Sequence, residues 1–171
     1  GRLADRLLGR SDGRPARLTL DGAGPIDGWT GRLAGSLGDD ARLDLALTAR
    51  GVAPYRLSVE GSVQPRPLLP HPWQAPLADG IRISGAVTGD ATATSIEGLH
   101  IAGAGLTLSA RGRLAPGGAM DGRIDATAID LAPLGAAAGQ EMAGALTIGA
   151  DLTGSTQEPR IALAVDCTAI S

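Results

Sequence analysis

Two histidines, one cysteine and a scatter of carboxylates and serines are the residues of this sequence that could do chemistry. Their spacing gives them little to work with. His71 lies among prolines and His100 sits between Leu99 and Ile101. A metal or acid–base site needs partners at workable spacing, and neither histidine has them in the sequence. Cys167 is the only cysteine, so no internal disulfide can form, and in phase with Val165 it reads as a small buried hydrophobe. Ser36, Ser58 and Ser62 fall in alternating stretches with no strand-to-helix elbow around them. Gly103-Ala104-Gly105 follows a strand pattern, but a dinucleotide loop must open a helix, and Leu106-Thr107-Leu108-Ser109 alternates as a strand. Asp39-Asp40 reads as a turn, and Asp121 with Asp125 as outward positions of a strand. No enzymatic activity, no metal and no cofactor is expected.

The elements behind these residues are strands. In Gly144–Cys167, Leu146, Ile148, Ala150 and Leu152 alternate with Thr147, Gly149, Asp151 and Thr153. After the turn Gly154–Pro159, Ile161, Leu163, Val165 and Cys167 oppose Arg160, Ala162, Ala164 and Asp166. A period of two on both arms predicts a half-buried hairpin. The same pattern recurs over Ala16–Asp21, Trp29–Leu37, Ala41–Arg50, Tyr55–Val63, Ile81–Thr88, Thr92–Ile101, Leu106–Leu114 and Met120–Ile129. Leu45–Gly51 (LALTARG) and Leu106–Gly112 (LTLSARG) read as an internal repeat of stacked hairpins. Gly1–Gly13 places Leu3, Leu7 and Leu8 at helical spacing, a short amphipathic helix capping an open end of the sheet. Residues 64–76 are proline-rich and mark a break or a loop folded back through Leu68, Leu69 and Trp73. Asp130–Ala143 reads as a loop with one helical turn.

Composition narrows the function classes. Hydrophobic residues make up 43% of the 171, yet aromatics are 2% and Phe is absent, which favours a thin or open apolar layer over a sandwich centred on rings. All basic residues are Arg, the net charge is −3 and the signs are mixed, so nucleic-acid binding is not expected. Neither a signal peptide nor an apolar run near the length of a membrane span is expected within these residues. Beginning at Gly1 and ending just after a strand at Ser171, the sequence reads as a single elongated β domain over 1–171, a piece of a longer protein. Roughly ten to twelve strands at about 4.8 Å would run about 50 Å, and a sheet that long with one apolar face must close, pack on another layer or bind something apolar.

Three stretches resemble one family. Leu20–Leu33 (LDGAGPIDGWTGRL), Asp130–Leu134 (DLAPL) and Leu152–Pro159 (LTGSTQEP) are similar, in this order, to segments of the C-terminal region of the TamB family of AsmA-like bacterial envelope proteins. The resemblance implies an all-β, curled, antiparallel-rich sheet forming a hydrophobic groove, the β-taco, with short helical or loop caps. It also implies a periplasmic location, an inner-membrane anchor on the full-length protein, and an outer-membrane TamA-type barrel as partner. The family's role is phospholipid transport between the membranes or assistance to outer-membrane protein assembly. On this reading Leu43, Leu45, Leu47, Leu57, Val59, Leu106, Leu108, Ile124, Leu146, Ile148, Leu152, Ile161, Leu163 and Val165 line a groove that shelters phospholipid acyl chains. The alternatives are a chaperone-like β-template offering its sheet edges, and a spacer whose apolar face is filled by its own Leu3, Leu69 and Trp73.

Overall fold

The computed structural model describes residues 15–38, 41–65, 79–103, 105–128, 130–132, 135–136 and 139–168. Ten strands follow one another: β1 Ala16–Ala23, β2 Gly28–Leu37, β3 Ala41–Arg50, β4 Tyr55–Gln64, β5 Ile81–Gly89, β6 Thr94–Gly103, β7 Leu106–Leu114, β8 Ala119–Ala128, β9 Ala145–Ser155 and β10 Pro159–Thr168. They form a single sheet in the order β1 to β10, and every neighbouring pair is antiparallel. This is a meander. Because β1 does not pair with β10, the sheet is open, with two edges. Nine spacings of about 4.8 Å give a length of roughly 43 Å along the hydrogen-bonding direction.

Short polar turns set the register. The β7–β8 turn closes with the Gly118 amide donating to the Ala115 carbonyl at 2.9 Å. Between β5 and β6, Asp90 Oδ1 accepts from the Thr92 amide at 2.6 Å and the Ala93 amide at 3.0 Å, an Asx turn. The last hairpin is tighter than its sequence suggests. Gly154 pairs with Pro159, so the turn shrinks to 155–158, and Pro159 is tolerated as the first residue of an edge strand. β4 and β5, on either side of the proline-rich segment, pair from Tyr55↔Gly89 to Val63↔Ile81, so the sheet runs on across that segment.

β6 departs from plain alternation. Its register with β5 shifts between Ser84↔His100 and Ala86↔Glu97, and with β7 between Ile96 and Leu99. Gly98 holds the extra residue at φ +57°, a conformation open to glycine at no steric cost. The bulge returns Ile96 to the side of the sheet that carries Leu99 and Ile101. Without it, a one-residue slip would turn one end of the strand over.

Among the described residues very little is enclosed: the buried hydrophobic ones are Ala41, Ala86, Ala128 and Leu131, and no large side chain of them is fully buried. Ala132, Gly135 and Ala136 are helical, the Gly135 amide donating to the Leu131 carbonyl at 2.8 Å, which places one helical turn in the β8–β9 connection. The amphipathic segment 1–13, the Asp39-Asp40 turn, and His71, Leu68, Leu69 and Trp73 lie outside the described residues.

Candidate functional site

Strand register decides which residues share a face, since directly opposed residues point to the same side. One row can be followed across all ten strands: Leu20, Leu33, Leu45, Gly61, Ile83, Ile101, Leu108, Ala126, Ile148 and Val165. A parallel row runs from Leu18 through Gly35, Leu43, Val63 and Ile81 to Gly103, Leu106, Ala128, Leu146 and Cys167. Neither row contains a charge. Every charged side chain of the ten strands points to the opposite face.

The groove residues expected from the sequence all lie on this apolar face: Leu43, Leu45, Leu47, Leu57, Val59, Leu106, Leu108, Ile124, Leu146, Ile148, Leu152, Ile161, Leu163 and Val165. They share a face without forming a closed core. Leu57, Leu106 and Ile124 on inner strands are exposed, and Ile161, Leu163 and Val165 on β10 are more so. Edge strands have one neighbour to shield them, which explains the gradient. Cys167 is exposed, contrary to the buried position its phase suggests, because it stands on β10 at the sheet edge.

Sequence reading left several members of this face unnamed. Trp29 is one: a Cβ on either Gly22 or Gly31 would overlap its indole, so the ring lies flat over that cross-strand glycine pair. Tyr55 covers Gly89 in the same way. Two large rings thus fill the gaps that glycines leave, and the apolar surface stays continuous. Gly31, two residues from Trp29, is a local signal for the first, whereas the Tyr55–Gly89 pair is visible only once the register of β4 and β5 is known. Gly61 serves another purpose. Its Cβ would overlap the Asp44 carbonyl and sit 2.8 Å from Leu45 Cα, so β3 and β4 meet there backbone to backbone.

The polar face is laced by ion pairs. Arg32 Nε donates to Asp44 Oδ1 at 2.7 Å, and its second nitrogen pairs with Oδ2. Arg56 reaches across β5 to Glu97, which also accepts from Thr88 Oγ1 at 3.0 Å. Arg123 holds Asp125 at 2.9 Å and Asp151 at 3.1 Å. The guanidinium of Arg32 holds the Asp44 carboxyl below its ordinary value, and Arg56, then Thr88, do the same for Glu97. Hydrogen bonds from Thr92 lower Asp90. These shifts are all accounted for by local pairing, which makes the face a solvated exterior. His100 is exposed on it opposite Ser84 and Ser109. Ser36, Ser58 and Ser62 are on the same side, as are Asp121 and Asp125, the latter paired with Arg123. Among the described residues no group of three or more His, Cys, Asp or Glu could hold a metal ion.

What remains is an uncharged surface on the order of 1,000 Å² in projected area, taking roughly 43 Å by the length of an eight-residue strand. The largest apolar patch on an ordinary monomer is about 300–600 Å². Its chemistry is close to that of an apolar solvent: it offers mainly aliphatic and ring contacts and no charged group. No protein-family model, no curated protein and no solved structure matches this chain.

Proposed function

We propose that this chain is a segment of a cell-envelope lipid conduit, with phospholipid acyl chains lying along the apolar face between inner and outer membranes. The observation that carries the reading is the uncharged row crossing all ten strands, at right angles to them. A chain moving along that row exchanges one aliphatic neighbour for another. Each CH₂ kept from water contributes about 0.8 kcal/mol at every step, so no single position traps it. Curling of the sheet along its length would turn the face into a groove, the β-taco of the TamB family that three sequence segments resemble. Periplasmic location, an inner-membrane anchor elsewhere in the protein and a TamA-type outer-membrane partner belong to the same reading.

Photo-crosslinking groups at Leu146 or Leu163 should capture phospholipid in cells, and groups at Thr147 or Ala162 should not. Equal capture on both faces would sink the proposal. A second reading, a template for outer-membrane protein strands, is favoured by the open edges at β1 and β10. It predicts that prolines within an edge strand damage function more than charges on the apolar face.

A further inference from the structure

Connections alternate sides in a meander, so the five short turns that follow β1, β3, β5, β7 and β9 project from one side of the sheet. Turn tips stand in water and are ordinarily polar or small. Three of these five obey that rule: 90–93 carries Asp90 and Thr92, 115–118 reads Ala-Pro-Gly-Gly, and 155–158 carries Ser155, Thr156, Gln157 and Glu158. The first two do not. Ile26, in the β1–β2 turn, is 82% exposed, the most of any large hydrophobic side chain among the described residues, and Val52, in the β3–β4 turn, is 67% exposed.

The two tips form one unit. Gly28 at the start of β2 pairs with Arg50 at the end of β3, and the Gly51 amide donates to the Asp27 carbonyl at 2.9 Å, which ties one turn to the other. Hairpins two strand spacings apart hold their tips roughly 10 Å from each other. Trp29 and Tyr55, the two aromatic residues among those described, stand just behind these turns on the apolar face. On the opposite face Arg50 is set directly against Arg56. Like charges so placed repel. Arg56 is engaged by Glu97, whereas Arg50 has no carboxylate at ion-pairing distance among the described residues. Asp27 is the one acid of the two turns. Aliphatic tips, then rings, then a free guanidinium follow the order of a bilayer from its acyl boundary out to its phosphates. We propose that the β1–β2 and β3–β4 turns dock on a lipid bilayer surface, Ile26 and Val52 entering the acyl boundary and Arg50 binding a lipid phosphate. A guanidinium offers phosphate two parallel hydrogen bonds, which suits it to that role. Since the other three turns are polar, only this corner enters, and β5 to β10 lead away from the surface. The site lies off the apolar rows and holds whether or not those rows carry acyl chains.

Flotation with vesicles of phosphatidylethanolamine and phosphatidylglycerol at low salt should carry the whole chain into the lipid layer. Ile26→Ser and Val52→Ser should each weaken binding roughly ten-fold, and together abolish it, while Ile26→Leu with Val52→Leu should keep it. Arg50→Gln should cost about five-fold on these vesicles and less as salt is raised. In a Cys167→Ser background, an environment-sensitive dye on Val52→Cys should brighten with vesicles. The same dye on Gly117→Cys, at the tip of the β7–β8 turn, should not. Side chains at exposed tips tolerate such changes, and circular dichroism confirms that each variant is folded. A chain that stays out of the lipid layer, a double-serine variant that floats like wild type, or an equal dye response at 52 and 117 would each overturn the proposal. Phospholipid capture at Leu146 and Leu163 is scored separately, so the docking corner and the conduit fail independently.

Discussion

Replacing Ile124 by aspartate separates an open apolar face from a covered one. Ile124 stands in the middle of the face between Ala110 on β7 and Ala150 on β9, and it is 43% exposed. Full burial of such a side chain is worth about 1.5–3 kcal/mol, and a little over half of its surface is shielded, so losing it costs about 1–2 kcal/mol. The new carboxylate keeps contact with water and escapes the larger penalty of an enclosed charge. A domain with about 5–15 kcal/mol to spare remains folded. Urea unfolding followed by circular dichroism measures the loss. Thr107→Asp, on the polar face of β7, should stay within about 0.5 kcal/mol of wild type. Lipid capture should fall to background in Ile124→Asp and persist in Thr107→Asp. A cost near 3–5 kcal/mol is what an unpaired charge inside a closed core produces, and it would refute the open face. A folded Ile124→Asp chain that captures lipid normally would refute the conduit.

Two other perturbations probe the scaffold. Gly61→Ala pushes a methyl group into the β3 backbone and should destabilise by about 1–3 kcal/mol, whereas Gly117→Ala, with nothing within 4 Å, should be neutral on the same urea curve. Arg56→Ala should raise the Glu97 pKa toward that of an ordinary glutamate in a carboxyl NMR titration. Because Glu97 is depressed in the folded chain, its contribution to stability is present above the usual glutamate range and is lost as pH falls through the lowered value. An unchanged Glu97 titration in the variant would show that the pair does not form in solution.

Much of the architecture is legible in the sequence because its signals are local. Leu43, Leu45 and Leu47 against Arg42, Asp44 and Thr48 state both strand and face, and Pro116-Gly117-Gly118 states the turn that follows β7. Scarce aromatics also point correctly to a structure without a ring-filled centre. The repeat is legible in facing but not in extent: Gly51 follows the end of β3, while its counterpart Gly112 lies inside β7. What escapes is whatever depends on a neighbouring strand. Gly98 in TSIEGLHI is a bulge only because Ile96 must meet Val87 while Leu99 and Ile101 keep their side. Trp29 and Tyr55 cover glycines that are remote or ambiguous until register brings them together. Cys167 has the phase of a core residue, and its exposure follows from β10 being an edge. Curvature is a property of the whole sheet, and no single hairpin states it.

Fluorescence quenching by phospholipid brominated in its acyl chains tests the central claim most directly. In a Trp29→Phe, Trp73→Phe chain, Leu108→Trp puts one reporter on the apolar face of β7 and Ser109→Trp puts it on the polar face one residue on. Strong quenching of the reporter at 108 with little at 109 is the predicted result. Equal quenching at both positions, or none at 108 while the chain is folded, would contradict the account.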